Sequence, residues 1–139
     1  MVRPEVAATR VARALAWLAD AERTFSLPAE QFLADLQGRD LALFYLFLAM
    51  QECIDLAAHW VADAGWAVPD DAGSTFDVLA DRGVIDRETA DALRAAAGLR
   101  NRIAHGYAML DYRRVHRESR EGLPAIRVFL DKVARAAGL

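Results

Sequence analysis

Cysteine is almost absent from this chain. Cys53 stands alone, so no intramolecular disulfide can form, and no Cys/His cluster has zinc-finger spacing. Lysine is nearly missing too, with Lys132 set against sixteen arginines, a bias that the richness in alanine makes attributable to base composition. Long apolar runs are lacking: the most apolar stretch, residues 41–50, is about half of the ~20 residues that cross a bilayer, which predicts a core helix and no membrane span. The first residues, Met1-Val2-Arg3-Pro4-Glu5, have neither the apolar region nor the small-residue cleavage site of a secretory signal. A reducing, cytoplasmic setting is therefore expected. No strand-like alternation persists anywhere, and there is no internal repeat.

What remains is 139 residues, 55% hydrophobic and 27% charged, the balance of one folded domain spanning residues 1–139. A net charge of −3 argues against a general nucleic-acid-coating protein, which is normally basic throughout. The distribution is uneven, however. Between Arg94 and Arg120 lie Arg100, Arg102, Arg113, Arg114 and Arg117 with His105 and His116, against only Asp111 and Glu118. Such a local cationic field can attract a phosphate backbone, and a solvated helix face explains it equally well.

Apolar residues recur at helical spacing over residues 2–23, after a proline tolerated at a helix start. Ser26 before Pro28 predicts the cap of a short second helix through Leu36, ended by Gly38. Residues 39–64 contain no proline or glycine and keep an apolar face, which predicts a long central helix closed by Gly65. A turn-rich loop over residues 69–74 should lead to a short helix over 75–81. Asp86 is the candidate cap of a helix over 87–105, broken by Gly106. Asp111 is the candidate cap of a last segment to Ala137, with a kink or break at Gly122 and Pro124. The expected architecture is all-α, an antiparallel bundle of four to five helices.

Chemistry concentrates in the run Arg100-Asn101-Arg102-Ile103-Ala104-His105-Gly106-Tyr107. On an ideal helix Arg100 and His105 stand about 140° apart, so Arg100 needs its length to reach the histidine's site. Asn101 lies one turn from His105, near the same face, and can orient the imidazole or contact the same ligand. Histidine, with an unperturbed pKa of ~6.5, can take a proton from a ribose 2′-hydroxyl or deliver one to the leaving 5′-oxygen. Arginine stays charged and can hold two phosphate oxygens as negative charge develops. The bland alternative is that Arg100 pairs with an acid, His105 caps a helix end and Tyr107 fills the core.

The run Arg100 to Tyr107 resembles the Arg-x4-His-x-Tyr motif of the HEPN superfamily, in the form of the HepT-like toxin ribonucleases, with Asn101 also matching. Glu52, Ile54-Asp55 and His59 are similar to the family's central-helix segment. Phe76-Asp77-Val78-Leu79 with Gly83-Val84-Ile85, and Asp111-Tyr112, fall where comparable segments lie, so the likeness covers essentially the whole chain. The resemblance implies a metal-independent endoribonuclease toxin without a cofactor, homodimeric, with RNA as substrate and a cognate minimal nucleotidyltransferase antitoxin of the MntA type as partner. Carried over position by position, it makes Arg100 and His105 catalytic and Tyr107 the site of adenylylation. A non-catalytic HEPN module that binds nucleotide or substrate for the partner enzyme is the alternative.

Glu52, Asp55 and His59 form a polar stripe on an otherwise apolar helix. They lack the paired Glu-x-x-His arrangement of a di-metal bundle, so no metal is expected, and Glu52 or Asp55 is expected to pair with an arginine of the motif helix and orient it. His59 is read as structural, and Trp17, Trp60 and Trp66 as core or subunit contacts. Arg102, Arg113, Arg114 and Arg117, with His116, are candidates for an RNA track.

Overall fold

A computed structural model describes residues 3–139, the side chain of Tyr107 excepted. Among the described residues the chain is all-α. Four long helices, α1 (Pro4–Phe25), α3 (Leu36–Asp63), α5 (Arg87–Gly106) and α6 (Tyr112–Ala136), form the bundle; α2 (Ala29–Ala34) and α4 (Ala72–Asp81) are short, and a 3-10 turn, Tyr107–Met109, joins α5 to α6. The expected start of the first helix at Val2 lies outside the described residues.

In α1 the buried positions Ala7, Val11, Ala14, Leu18, Ala21 and Phe25 follow the three-and-four spacing of one apolar stripe, laid against α3 and α6. Ser26 closes this helix instead of opening the next: its hydroxyl donates to the Arg23 carbonyl at 3.1 Å. Leu36 and Gly38 likewise belong to the first turn of α3, not to the end of α2. Asp35 caps that turn by accepting from the Gly38 amide at 3.0 Å, and a Cβ on residue 38 would fall on the Asp35 carboxylate. A glycine that reads as a stop in sequence thus lies inside the first turn of the next helix, with the Asp35 carboxylate folded closely over it.

Helix α3 is the centre of the bundle, in contact with every other α-helix. It is long and apolar enough to cross a membrane by length and composition, but it also carries the buried Glu52, so its apolar character serves the core. Gly65, at φ 77°, ends it in the left-handed conformation, with the Trp66 amide reaching back to the Val61 carbonyl at 3.0 Å. Helix α4 starts three residues earlier than its apolar pattern suggests, because Asp71 accepts from the Ser74 amide at 2.8 Å. Phe76 of α4 meets Phe129 of α6 edge-on, ring centres 5.6 Å apart.

Of the kink or break expected in the last helix, the break does not occur, and α6 runs on through Gly122 and Pro124. Losing the proline's hydrogen bond costs ~3 kcal/mol in a helix interior. Around it Leu123, Ile126, Phe129 and Leu130 are all buried, each contributing about 1.5–3 kcal/mol, so tertiary packing outweighs the local defect. Pro124 itself faces solvent, while Gly122 is buried against Ala96 of α5.

Candidate functional site

The site is built at the far end of α5. Asp86 starts that helix by accepting from the Thr89 amide at 2.7 Å, and alanines at 90, 96 and 97 let it lie close to its neighbours. Gly106 ends it as expected. The chain then makes its short turn and extends through Leu110 to Asp111, whose carboxylate accepts from the Arg114 amide at 3.2 Å and starts α6. Between the end of α5 and the start of α6 lies an open groove of about 500 Å³. Asn101, Arg102 and His105 line one side, Met109, Leu110 and Arg114 the other.

His105 occupies the last turn of α5 and is exposed to this groove. Arg100 is on another side of the helix. Its guanidinium lies over the Phe47 ring of α3, 4.8 Å from the centroid, and donates through Nη2 to Gln51 Oε1 and through Nη1 to Asn101 Oδ1 at 2.9 Å. Asn101, expected to orient the imidazole or to contact the same ligand, accepts from Arg100 and also borders the histidine's groove. The side chain of Tyr107, the expected modification site, lies outside the described residues.

The two acidic candidates take different partners from those expected. Glu52 accepts from Arg13 Nη2 at 3.0 Å and Arg10 Nη1 at 3.3 Å, and Asp55 accepts from Arg10 Nη1 at 3.2 Å. Both arginines belong to α1, so the carboxylates brace α1 against α3 and do not pair with the motif helix. The physical reason is packing: α1 lies along α3 over the length that carries these acids, and its arginines have the reach. Sequence reasoning missed Gln51 and Phe47. Their signal was there in the spacing Phe47, Gln51, Asp55, which puts all three on one face at intervals of four.

Of the arginines proposed for an RNA track, Arg102 and Arg114 reach the groove and share Glu118, Arg102 through Nη2 and Arg114 through Nε at 2.7 Å. Partial burial works to raise the Glu118 carboxyl, but the two guanidinium hydrogen bonds outweigh it and hold the group below its ordinary value. Arg113 pairs with Glu30 at 2.8 Å, and Arg117 is exposed. His116 is not part of any surface track. It is 4% exposed, its Nε2 lies 2.8 Å from the Leu27 carbonyl, and its ring packs on Phe32. His59 is exposed on α3, Trp60 and Trp66 pack against the core, and Trp17 lies beneath Arg13. Among the described residues no group of three or more His, Cys, Asp or Glu side chains is arranged to hold a metal ion.

Comparison with known families decides what this arrangement belongs to. The family model described as "Ribonuclease HepT-like" matches residues 14–133. The chain belongs to the HepT-like ribonuclease family, a family of RNA-cleaving enzymes. A protein of Archaeoglobus fulgidus named "Putative RNase" is 33% identical over 96 residues, covering 69% of this chain and 72% of that one. The "mRNA nuclease HepT" of Shewanella oneidensis is 30% identical over 81 residues, 58% of this chain and 61% of that one. Among solved structures, the tri-AMPylated Shewanella oneidensis HEPN toxin in complex with its MNT antitoxin superposes with a TM-score of 0.83 at 24% identity, covering 98% of this chain and 99% of that one. A toxin–antitoxin crystal structure with AMP-PNP gives 0.83 at 23%, with 95% and 98% covered. At that identity the superpositions establish the shared HepT-like fold.

Proposed function

We propose that this chain is a toxin of the cytoplasm, a single domain that cleaves RNA without a metal ion, using Arg100 and His105, and that a minimal nucleotidyltransferase antitoxin silences it by adenylylating Tyr107. The observation that carries the reading is an exposed imidazole at the end of α5, opening on a groove edged by Arg102 and Arg114, with Asn101 linking that groove to Arg100. In the proposed reaction the ribose 2′-oxygen attacks phosphorus and the bond to the 5′-oxygen breaks, leaving a 2′,3′-cyclic phosphate. His105 serves one of the two proton transfers, from the 2′-hydroxyl or to the 5′-oxygen. Arg100 compensates the charge that gathers on the phosphoryl oxygens.

The two groups face different sides of α5, which supports a site shared between two copies. Phe44 is exposed one turn from Phe47, and an apolar groove of about 360 Å³ runs from these two to Ile103 and Ala104 of the motif helix. A second copy covering this strip brings two motif helices together, and an isologous pair is the commonest assembly. The antitoxin and the adenylylation are supported by the solved relatives, which are toxin–antitoxin complexes, one with its toxin AMPylated. An AMP group adds bulk and negative charge where a phosphate backbone must bind.

The test is cleavage of a defined RNA by purified protein in excess chelator. The native chain is expected to cut it, leaving 2′,3′-cyclic phosphate ends, and His105→Ala and Arg100→Ala to lose a factor of ~100 or more. Because His105 is exposed, His105→Ala should unfold within ~0.5 kcal/mol of the native chain. Native-like cutting by His105→Ala, or no cutting by the native chain, overturns the nuclease assignment; the second outcome leaves a binding module for the partner. Coexpression with the partner should raise the intact mass by AMP steps that Tyr107→Phe removes.

A further inference from the structure

Arg100 differs from the other arginines near it. Arg10 and Arg13 sit on carboxylates, and so do Arg102 and Arg114. Both hydrogen bonds that Arg100 makes among the described residues go to amide oxygens, those of Gln51 and Asn101. The orientation of the Gln51 amide is set from its other end. Its Nε2 donates at 3.3 Å to Asp55 Oδ1, and Asp55, an acceptor only, is itself anchored by Arg10. The amide nitrogen therefore faces the acid, and the carbonyl faces the guanidinium. Phe47 supports the plane of the guanidinium from below.

We infer that Gln51 is the positioning residue of Arg100: a neutral spacer between Asp55 and the guanidinium that fixes the arginine in place while leaving its charge uncompensated for a phosphodiester anion. The inference rests on the reading of Arg100 as the phosphate-binding residue of the site. A carboxylate at position 51 would hold Arg100 as firmly but would compete with the phosphate for it. An apolar side chain of the same length would leave Arg100 to Phe47 and Asn101 alone. Asp55 is kept one side chain away for the same reason, close enough to orient the amide and too far to pair with the arginine.

The experiment compares Gln51→Glu, Gln51→Met and Arg100→Ala, singly and with each Gln51 change combined with Arg100→Ala. It reads the dissociation constant for a 2′-O-methyl RNA that cannot be cleaved, together with kcat and KM for the cleavable RNA. Gln51→Glu is expected to weaken binding at least tenfold and to lower kcat; its carboxylate meets Asp55 where the amide donated, so the melting temperature falls as well, and binding is read well below the transition. Gln51→Met is expected to do less to binding while still lowering kcat. Neither change should have further effect once Arg100 is alanine, which a merely structural role would not produce. Additive losses in the double variants overturn the inference, as does native behaviour of Gln51→Glu beside an impaired Arg100→Ala. Should Gln51→Glu fail to fold, the Gln51→Met cycle decides alone. Native behaviour of Arg100→Ala would instead overturn the reading of the site on which Gln51's role rests.

Discussion

Removing the Glu52 carboxylate tests the finding that this acid braces α1 against α3. The side chain is 11% exposed and accepts two charge-assisted hydrogen bonds, from Arg10 at 3.3 Å and Arg13 at 3.0 Å. Hydrogen bonds to charged groups contribute about 1.5–3 kcal/mol each. The Arg13 bond deserves a discount to ~0.5 kcal/mol, because that side chain is 51% exposed and solvent screens the pair. Arg10 keeps Asp55 at 3.2 Å after the change, so it is not stranded and only part of its bond is lost. Glu52→Ala should therefore cost about 2 kcal/mol, and Glu52→Gln, which keeps one oxygen and the volume, about 1 kcal/mol. At this chain length 2 kcal/mol corresponds to a melting point lower by about 6–8 °C. Thermal and urea unfolding measure the loss, and RNA cleavage well below the transition should stay near native. An effect under 0.5 kcal/mol would refute the bracing role. Loss of cleavage at unchanged stability would move Glu52 into the site itself.

Glu118 should behave as a restraint on the groove. Its carboxyl is held below the ordinary value of 4.5, so its contribution to stability is fully present above that value and is lost as pH falls through the depressed one; Glu118→Gln removes this acid limb from the pH dependence of unfolding. The same change frees Arg102 and Arg114, and should tighten non-cleavable RNA while steepening the logarithmic salt dependence of binding by about 1–2, read between 50 and 200 mM salt. Pro124→Ala should stabilise the chain by about 1–3 kcal/mol in urea unfolding, since it restores an amide donor on the exposed side of an unbroken helix; destabilisation would mean that the proline has a packing role its exposure does not suggest.

The long helices were legible because their apolar stripes are set by spacing alone, and the punctuation at Gly65, Asp86, Gly106 and Asp111 because each acts within one turn. What could not be read locally was any feature with two possible uses. Ser26 can cap the helix before it or the one after, and Gly38 can stop a helix or make room for the Asp35 cap; which occurs depends on where the next apolar face must lie. Pro124 reads as a break until the burial of Phe129 and Leu130 is known. At the site, the exposure of His105 followed from its place at a helix end. The partners of Glu52 and Asp55 did not, because Arg10 and Arg13 lie about forty positions away in the chain and nothing in the local pattern says which helix will lie alongside.

The pairing of α1 arginines with α3 carboxylates has a consequence for the proposed chemistry. If Glu52 or Asp55 paired with Arg100, the acids of the central helix would cancel the one cation the motif places toward α3. With Arg10 and Arg13 occupying them, Arg100 meets, among the described residues, amides and an aromatic face, and an acidic protein keeps a positive charge on its motif helix. The positions that carry that charge and the imidazole stand about 140° apart on an ideal helix, and the two side chains turn to different neighbours, Arg100 to α3 and His105 to the groove beside α6. For one chain to unite them, Arg100 must abandon Gln51 and Phe47 and swing around Asn101. In the proposed pair, joined across the Phe44 and Ala104 strip, Arg100 of one copy is to serve with His105 of the other, so that Arg100 keeps its contacts with Gln51 and Phe47. The contacts that hold Arg100 in place are therefore an argument that the site is completed by a second copy.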